Sequence, residues 1–327
     1  MAPDAAVTAA PAPAAALALA IALALALLAA ATALRLRRRL RRIAASWPPE
    51  GRIVAAGPAR IHAVLRGAGP DIVLIHGLSG STRDFTFGLA GALAHRFRVI
   101  ALDRPGLGQS GPVPAGETLA AQAAALRAAA AALGADRPLV LGFSYGGAVA
   151  LRWALDAPET LRALVLVSPV SHPWDGGLGL YYHLTSTPLL RRLAVPLLAA
   201  WAPQRAVERA TAAVFAPDPV PPGYMAHFGP ETALRPRTLL ANGRQRRVLK
   251  AEIRAQAPRY PAIACPVEIV HGTADATVGL AIHAGRLVRD IPGAALTPLD
   301  GTGHMAHHAR QAEVVAAIDR AAARAGL

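Results

Sequence analysis

Residues 139–148 read LVLGFSYGGA. A short apolar run enters Gly142-Phe143-Ser144-Tyr145-Gly146, a G-x-S-x-G, and a stretch of helical character follows directly. A strand that turns sharply into a helix at a serine forces that serine into strained backbone geometry. Small residues two before and two after it let neighbouring chain approach without clash. The Ser144 hydroxyl then projects at a helix N-terminus, where the dipole favours developing negative charge. G-x-S-x-G alone is common by chance; the strand before it and the helix after it give it the reading of a nucleophile elbow.

The surrounding pattern agrees with that reading. Apolar runs rich in Val, Ile and Leu occupy residues 61–65, 72–76, 99–103, 139–143, 163–168, 267–271 and 295–299, and helical stretches alternate with them. Continuous apolar strands separated by helices imply an α/β fold, a parallel sheet covered on both faces. Residues 118–133, almost all Ala and Leu with Gly134 as C-terminal cap, form one predicted helix, and residues 145–157, ending before Pro158, form another. The alternation lapses over residues 169–250, which predicts an inserted helical cap between core segments 52–168 and 251–327. That cap holds seven of the chain's fifteen aromatic residues: Trp174, Tyr181, Tyr182, Trp201, Phe215, Tyr224 and Phe228. Large rings can pack small helices that lack a sheet, or form an apolar lid over an acyl or aromatic group. Trp174, Tyr181, Tyr182 and His76 are the candidates for a substrate pocket.

A serine hydroxyl needs a base and an orienting carboxylate, expected here in the order Ser, Asp, His. The run 267–271 leads into Gly272-Thr273-Ala274-Asp275, and the last strand into Gly301-Thr302-Gly303-His304. Asp275 is expected to hold His304 in the tautomer that accepts the Ser144 proton. Two backbone N–H groups should stabilise the oxyanion: Tyr145, next after the nucleophile, and Leu78 in the turn His76-Gly77-Leu78-Ser79-Gly80. This chemistry needs no cofactor. Asp103 is a rival acid, read instead as a turn residue bonding nearby backbone. Gly106, Gly108 and Gly111 form a literal G-x-G-x-x-G, but lead into Pro112 and Pro114 rather than a helix, which argues against dinucleotide binding. His304, His307 and His308 have no carboxylate among them and are not read as a metal site; His307 and His308 are expected to be packing or surface residues. Cys265 is the only cysteine, which excludes an internal disulfide framework and a zinc site built on several thiolates; before Pro266 it reads as a small core residue.

Four segments together resemble the α/β-hydrolase family: His76-Gly77, residues 103–110 (DRPGLGQS), residues 142–147 (GFSYGG), and the pair Asp275 with His304. The resemblance runs from about residue 52 to the C-terminus. It implies a mostly parallel eight-stranded sheet, a Ser-His-acid triad at its C-terminal edge, and a helical cap after the sixth strand. Serine at the elbow departs from the dehalogenase and epoxide-hydrolase branches, which carry aspartate there.

The N-terminus has a different character. After a tail of residues 1–13, residues 14–34 carry no charge, about 31 Å as a helix and close to the thickness of a bilayer's hydrocarbon. Arg35, Arg37, Arg38, Arg39, Arg41 and Arg42 follow, within a basic linker, residues 35–51, that Trp47-Pro48-Pro49 breaks. The positive-inside rule makes this a single-pass anchor with the following domain on the cytoplasmic side. A cleaved signal peptide is the alternative, with Ala31-Thr32-Ala33 as the small-residue site and a secreted or periplasmic product; a peripheral helix gripping anionic lipid is another. The chain has 327 residues, of which 54% are hydrophobic and 17% charged, too apolar for disorder and too mixed for a multi-span membrane protein. The net charge of +14 raises nucleic-acid binding, but beyond the six clustered arginines the excess is scattered, with Lys250 the only lysine, so nucleic acid is set aside.

The expectation is a serine hydrolase of a carboxylic ester with a hydrophobic acyl or aromatic group. Carbon–carbon, thioester and amide hydrolysis and perhydrolysis stay open on the same triad. A non-catalytic ligand-binding protein of the same fold is the alternative of another class.

Overall fold

The structure is a computed structural model that describes residues 13–327, so the expected tail lies outside the described residues except for Pro13. Eight strands form one sheet: β1 (Arg52–Ala56), β2 (Ala59–Arg66), β3 (Asp71–Ile75), β4 (Arg98–Leu102), β5 (Leu139–Phe143), β6 (Ala163–Val167), β7 (Val267–Gly272) and β8 (Ala295–Leu299). Their order is β1-β2-β4-β3-β5-β6-β7-β8. β2 pairs antiparallel with β1 and β4, and every other pairing is parallel. The sheet is therefore mostly parallel, as expected. All residues of β5, β6 and β7 are buried, the consequence of helices on both faces. Glu268 in β7 is buried because Arg320 and Arg324 meet its carboxylate at 2.9 and 2.8 Å.

Helices follow in chain order: α1 (Pro13–Ser46), α2 (Arg83–Thr86), α3 (Leu89–Leu93), α4 (Leu119–Ala132), α5 (Tyr145–Asp156), then α6 (Leu180–Ser186), α7 (Leu190–Trp201), α8 (Gln204–Phe215), α9 (Tyr224–Phe228) and α10 (Pro236–Gln256). After β7 come α11 (Ala284–Asp290), α12 (Ala306–Ala309) and α13 (Gln311–Arg324). Thr118 caps α4 by accepting the Ala121 N–H, and Gly134 at φ +74° closes its other end. Helices α6 to α10 form the helical insertion between β6 and β7, the segment expected as the lid.

Three features differ from expectation. The edge strand β1 was not among the apolar runs. The lid boundary expected at residue 250 falls inside α10, because Leu249 and Ile253 near its C-terminal end belong to the main hydrophobic core with Val149 and Trp153 of α5. The basic stretch predicted as a linker is helical up to Ser46, since it docks on the lid. Arg35, Arg39 and Arg42, spaced to lie on one face of α1, turn towards protein. Arg35 donates to the Ala200 carbonyl at 2.9 Å, Arg39 to those of Ala199 and Ala202 at 2.8 and 2.7 Å, and Arg42 to Glu231 at 2.8 Å. The first two thereby satisfy carbonyls left open at the C-terminus of α7. Trp47 donates to the Ala226 carbonyl at 2.8 Å. Residues 14–31, by contrast, are exposed throughout.

Candidate active site

The loops that leave β3, β5, β7 and β8 converge at the C-terminal edge of the sheet. Ser144 sits between β5 and α5 at φ +53° and ψ −117°, outside the regions that L-residues favour. Tight packing holds it there: a β-carbon on Gly146 would collide with the Ile75 carbonyl, and one on Gly142 with the backbone of Gly146 and Gly147. The structure brings the three expected side chains together. His304 Nε2 lies 3.0 Å from Ser144 Oγ, and His304 Nδ1 lies 2.7 Å from Asp275 Oδ2. That geometry suits a Ser144 hydroxyl donating to Nε2 and an Nδ1–H donating to the carboxylate. All three residues are buried, and Ser144 retains 8% of its exposure.

Burial works against ionisation of Asp275. Hydrogen bonds from His271 and His304 and backbone N–H groups nevertheless hold its carboxyl well below the usual range. The N–H groups of Thr277 and Val278 both donate to Oδ1 at 2.8 Å. His271 Nε2 lies 3.1 Å from Oδ2 and donates to the Val278 carbonyl at 2.7 Å. The His304 loop is fixed from two sides: Ser168, itself at φ +45°, donates to the His304 carbonyl at 3.0 Å, and the Gly303 N–H donates to Asp218 of the lid at 2.7 Å.

The oxyanion candidates lie on adjacent loops, where a β-carbon on Gly77, next to Leu78, would come within 3.2 Å of the Ser144 β-carbon. Among the described residues, the N–H groups of Leu78 and Tyr145 donate to no protein acceptor. The loop carrying Leu78 is clamped by α10, where fully buried Asn242 accepts the Ser79 N–H at 3.0 Å and donates to the Ser79 hydroxyl at 2.9 Å. Arg104, also fully buried, donates to the carbonyls of His76 and Gly77 at 3.0 Å each. Its remaining amino group donates to Gln122 and Gln245 at 2.8 Å each, and the guanidinium lies 4.1 Å from the centre of the Tyr145 ring. Burial lowers the Arg104 pKa only to about 10, so it stays cationic near neutral pH.

His76 is corrected as a pocket candidate. It is fully buried, its Nδ1–H donates to the Gly77 carbonyl at 2.8 Å and its Nε2 accepts the Arg104 N–H at 2.9 Å, so both nitrogens are taken. Burial and the neighbouring Arg104 bring its pKa down to about 4, and the ring is neutral. Trp174 lies under Arg246 at 4.8 Å and beside His283, while Tyr181 and Tyr182 pack edge to face at 4.9 Å. These ring contacts run to one another, to Arg246 and to His283, not to Ser144 or His304. Of the other lid aromatics, Phe215, Tyr224 and Phe228 are buried in the second core beneath the sheet. A groove of about 420 Å³ lies elsewhere, between α1 and the start of α10, lined by Leu40, Ala44, Trp47 and Pro236 among others and by none of the three converging side chains.

Asp103 has the role expected of a turn residue. It accepts the N–H groups of Thr82 and Gln109 at 2.7 and 2.8 Å and pairs with His62 Nδ1 at 2.8 Å. His307 and His308 pack among aromatic rings, one of the two places expected for them, but the fold supplies the carboxylate the sequence lacks nearby. Asp84 Oδ1 meets His308 Nε2 and the Tyr224 hydroxyl, each at 2.9 Å, and Oδ2 lies 3.2 Å from His307 Nε2. Despite burial, the two imidazoles hold the Asp84 carboxyl well below its ordinary range. The ligating atoms of this trio lie within 4.8 Å of one another, a spacing one metal ion could bridge.

Residues 70–310 match the α/β hydrolase fold family. A polyketide synthase of Burkholderia thailandensis, ThaQ, is 36% identical over 253 residues, covering 76% of this chain but only 11% of the synthase. The putative carbamate hydrolase RutD of Klebsiella pneumoniae is 30% identical over 241 residues, 72% of this chain and 84% of that protein. Among solved structures, a thermophilic esterase from Thermogutta terrifontis superimposes with a TM-score of 0.66 at 20% identity, covering 84% of this chain and 97% of the esterase. The chain belongs to the α/β-hydrolase fold family.

Proposed function

We propose that the protein is a membrane-anchored serine hydrolase that cleaves a carboxylic ester carrying a hydrophobic acyl or aromatic group. The observation that carries this reading is the run of two short hydrogen bonds from Ser144 through His304 to Asp275, beside two backbone N–H groups without protein acceptors. Ser144 Oγ attacks the carbonyl carbon as its proton passes to His304 Nε2. Asp275 stabilises the imidazolium through Nδ1–H, and the Leu78 and Tyr145 N–H groups hold the oxyanion. The tetrahedral intermediate collapses to an acyl-enzyme, His304 protonates the departing alcohol, and water repeats the sequence to release the acid. The apolar, exposed part of α1 supports an anchor, and the arginines after it favour a hydrolase domain on the cytoplasmic side.

Covalent labelling with a fluorophosphonate probe tests the triad. Wild type should label, Ser144→Ala should not, and His304→Ala should label far more slowly. Absence of labelling in folded wild type would overturn the assignment and favour the ligand-binding alternative.

A further inference from the structure

The lid turns an apolar face outward. Leu189 and Leu193 are 72% and 73% exposed, and Leu197 and Trp201 are 41% and 42% exposed. Spaced four residues apart, they form one inclined stripe along α7, while Val195 and Ala199 on its other side are buried against Leu234 and Leu239. Leu180, at the start of α6, adds a further exposed side chain. A patch of this kind on a water-soluble surface marks an interaction site.

What covers it follows from where it ends. Trp201 closes the stripe, and its indole N–H donates to Thr32 Oγ1 at 3.0 Å, while the Arg35 guanidinium lies 4.8 Å over its ring. Thr32 is where α1 changes character: the helix before it is exposed and apolar, and Arg35, Arg39 and Arg42 after it dock on the lid. The stripe is thus continuous with the segment read above as the anchor. Tryptophan at such a junction suits the boundary between hydrocarbon and headgroups. Arg37, Arg38 and Arg41 remain exposed on α1, and Arg192 is exposed on α7, where they can meet anionic headgroups.

We infer that the α7 stripe of Leu189, Leu193, Leu197 and Trp201 is seated in the surface of the bilayer that holds α1, so that the lid is a membrane-docked element. The inference rests on the anchor reading of α1. It also gives the lid a route to the chemistry: the inner side of α7 packs on Leu239 of α10, and Asn242 on the same helix holds Ser79 beside the oxyanion loop.

The test uses the full chain in vesicles of phosphatidylcholine and phosphatidylglycerol. Single cysteines replace Leu23 in α1, Leu193 and Leu197 in α7, and Glu313 on the distant α13, in a Cys265→Ala background whose fold is checked by circular dichroism. Each carries an environment-sensitive fluorophore, and lipids brominated on their acyl chains act as quenchers. Labels at positions 23, 193 and 197 should lose about half or more of their emission and the label at 313 should not, as expected for side chains at the depth of an interfacial helix. Quenching at 23 with 193 and 197 behaving like 313 overturns the lid inference and leaves the anchor standing. No quenching at 23 overturns the anchor reading itself. Emission at 193 that is blue-shifted without lipid quenching, and that reverts when labelled protein is diluted, assigns the stripe to a second copy of the chain and also overturns the inference.

Discussion

Replacing Asn242 by alanine separates the lid's structural part from its catalytic part. The change removes both bonds to Ser79 and leaves the partly buried Ser79 N–H without its acceptor; an unpaired donor there costs about 1 kcal/mol, at the low end for a buried one. Ser79 is also at φ +57°, a conformation that costs about another 1 kcal/mol and persists only while its surroundings enforce it. With the clamp gone, the loop is free to relax and turn the neighbouring Leu78 N–H away from the oxyanion position. About 2 kcal/mol of lost bias corresponds to roughly a 30-fold fall in kcat, less than the loss of about 100- to 1,000-fold expected from deleting an oxyanion donor outright. KM should change little, because the interaction develops in the transition state. The assay is steady-state hydrolysis of a water-soluble nitrophenyl ester, with the fluorophosphonate labelling rate as a second readout and urea unfolding to confirm a folded protein. A kcat within about twofold of wild type in a folded variant would refute the clamp argument.

Other perturbations test other parts of the framework. Asp103→Ala removes the acceptor of two N–H groups and the partner of His62, and should lower stability by about 3–5 kcal/mol, read from urea denaturation. Ser144→Gly should abolish activity yet raise the thermal midpoint, because glycine accepts φ +53° at no steric cost; an unchanged or lower midpoint would contradict the strain argument. His76 and His307 are buried with pKa values brought down to about 4, so the folded state takes up their protons less readily than the unfolded chain does. Their contribution is complete above an unfolded pKa of about 6.5 and declines towards about pH 4, each by up to about 3 kcal/mol. Asp84 and Asp103, held below their ordinary range, extend the loss at lower pH. Denaturant midpoints measured from pH 7 down to pH 4 should therefore fall steadily, and a flat profile would show that these groups are not buried as described.

Strands β3 to β7 were legible because they are buried on both faces and so read as largely apolar runs. Strand β1 was not, since its apolar residues 53–56 make a run of only four, half of it alanine, and at the sheet edge Ile53 faces outward. Ser144, Asp275 and His304 were legible because each follows an apolar strand at a fixed place in the chain. Asn242, Gln245 and Ser168 were not, because their importance lies in what they face. Asn242 meets Ser79 across 163 residues of sequence, and nothing local to α10 announces that contact. The Asp84 contact with His307 and His308 was hidden in the same way, by 224 residues in the case of His308. The six arginines after the apolar segment read as one basic run, yet the helical period divides them, turning three towards the lid.

The double membership of α10 bears on engineering. A designer who wished to change substrate preference by exchanging lids between relatives would cut where the helical insertion seems to stop, and that cut falls within a helix whose one end belongs to the lid and whose other end belongs to the core. A graft that brought a foreign α10 would replace Asn242 and Gln245 along with the lid surface, and turnover would change with specificity. Exchange confined to residues 169–235 leaves α10 in place, and, with Asp218 retained for its bond to Gly303, is the segment over which selectivity can be redesigned while the rate machinery is kept.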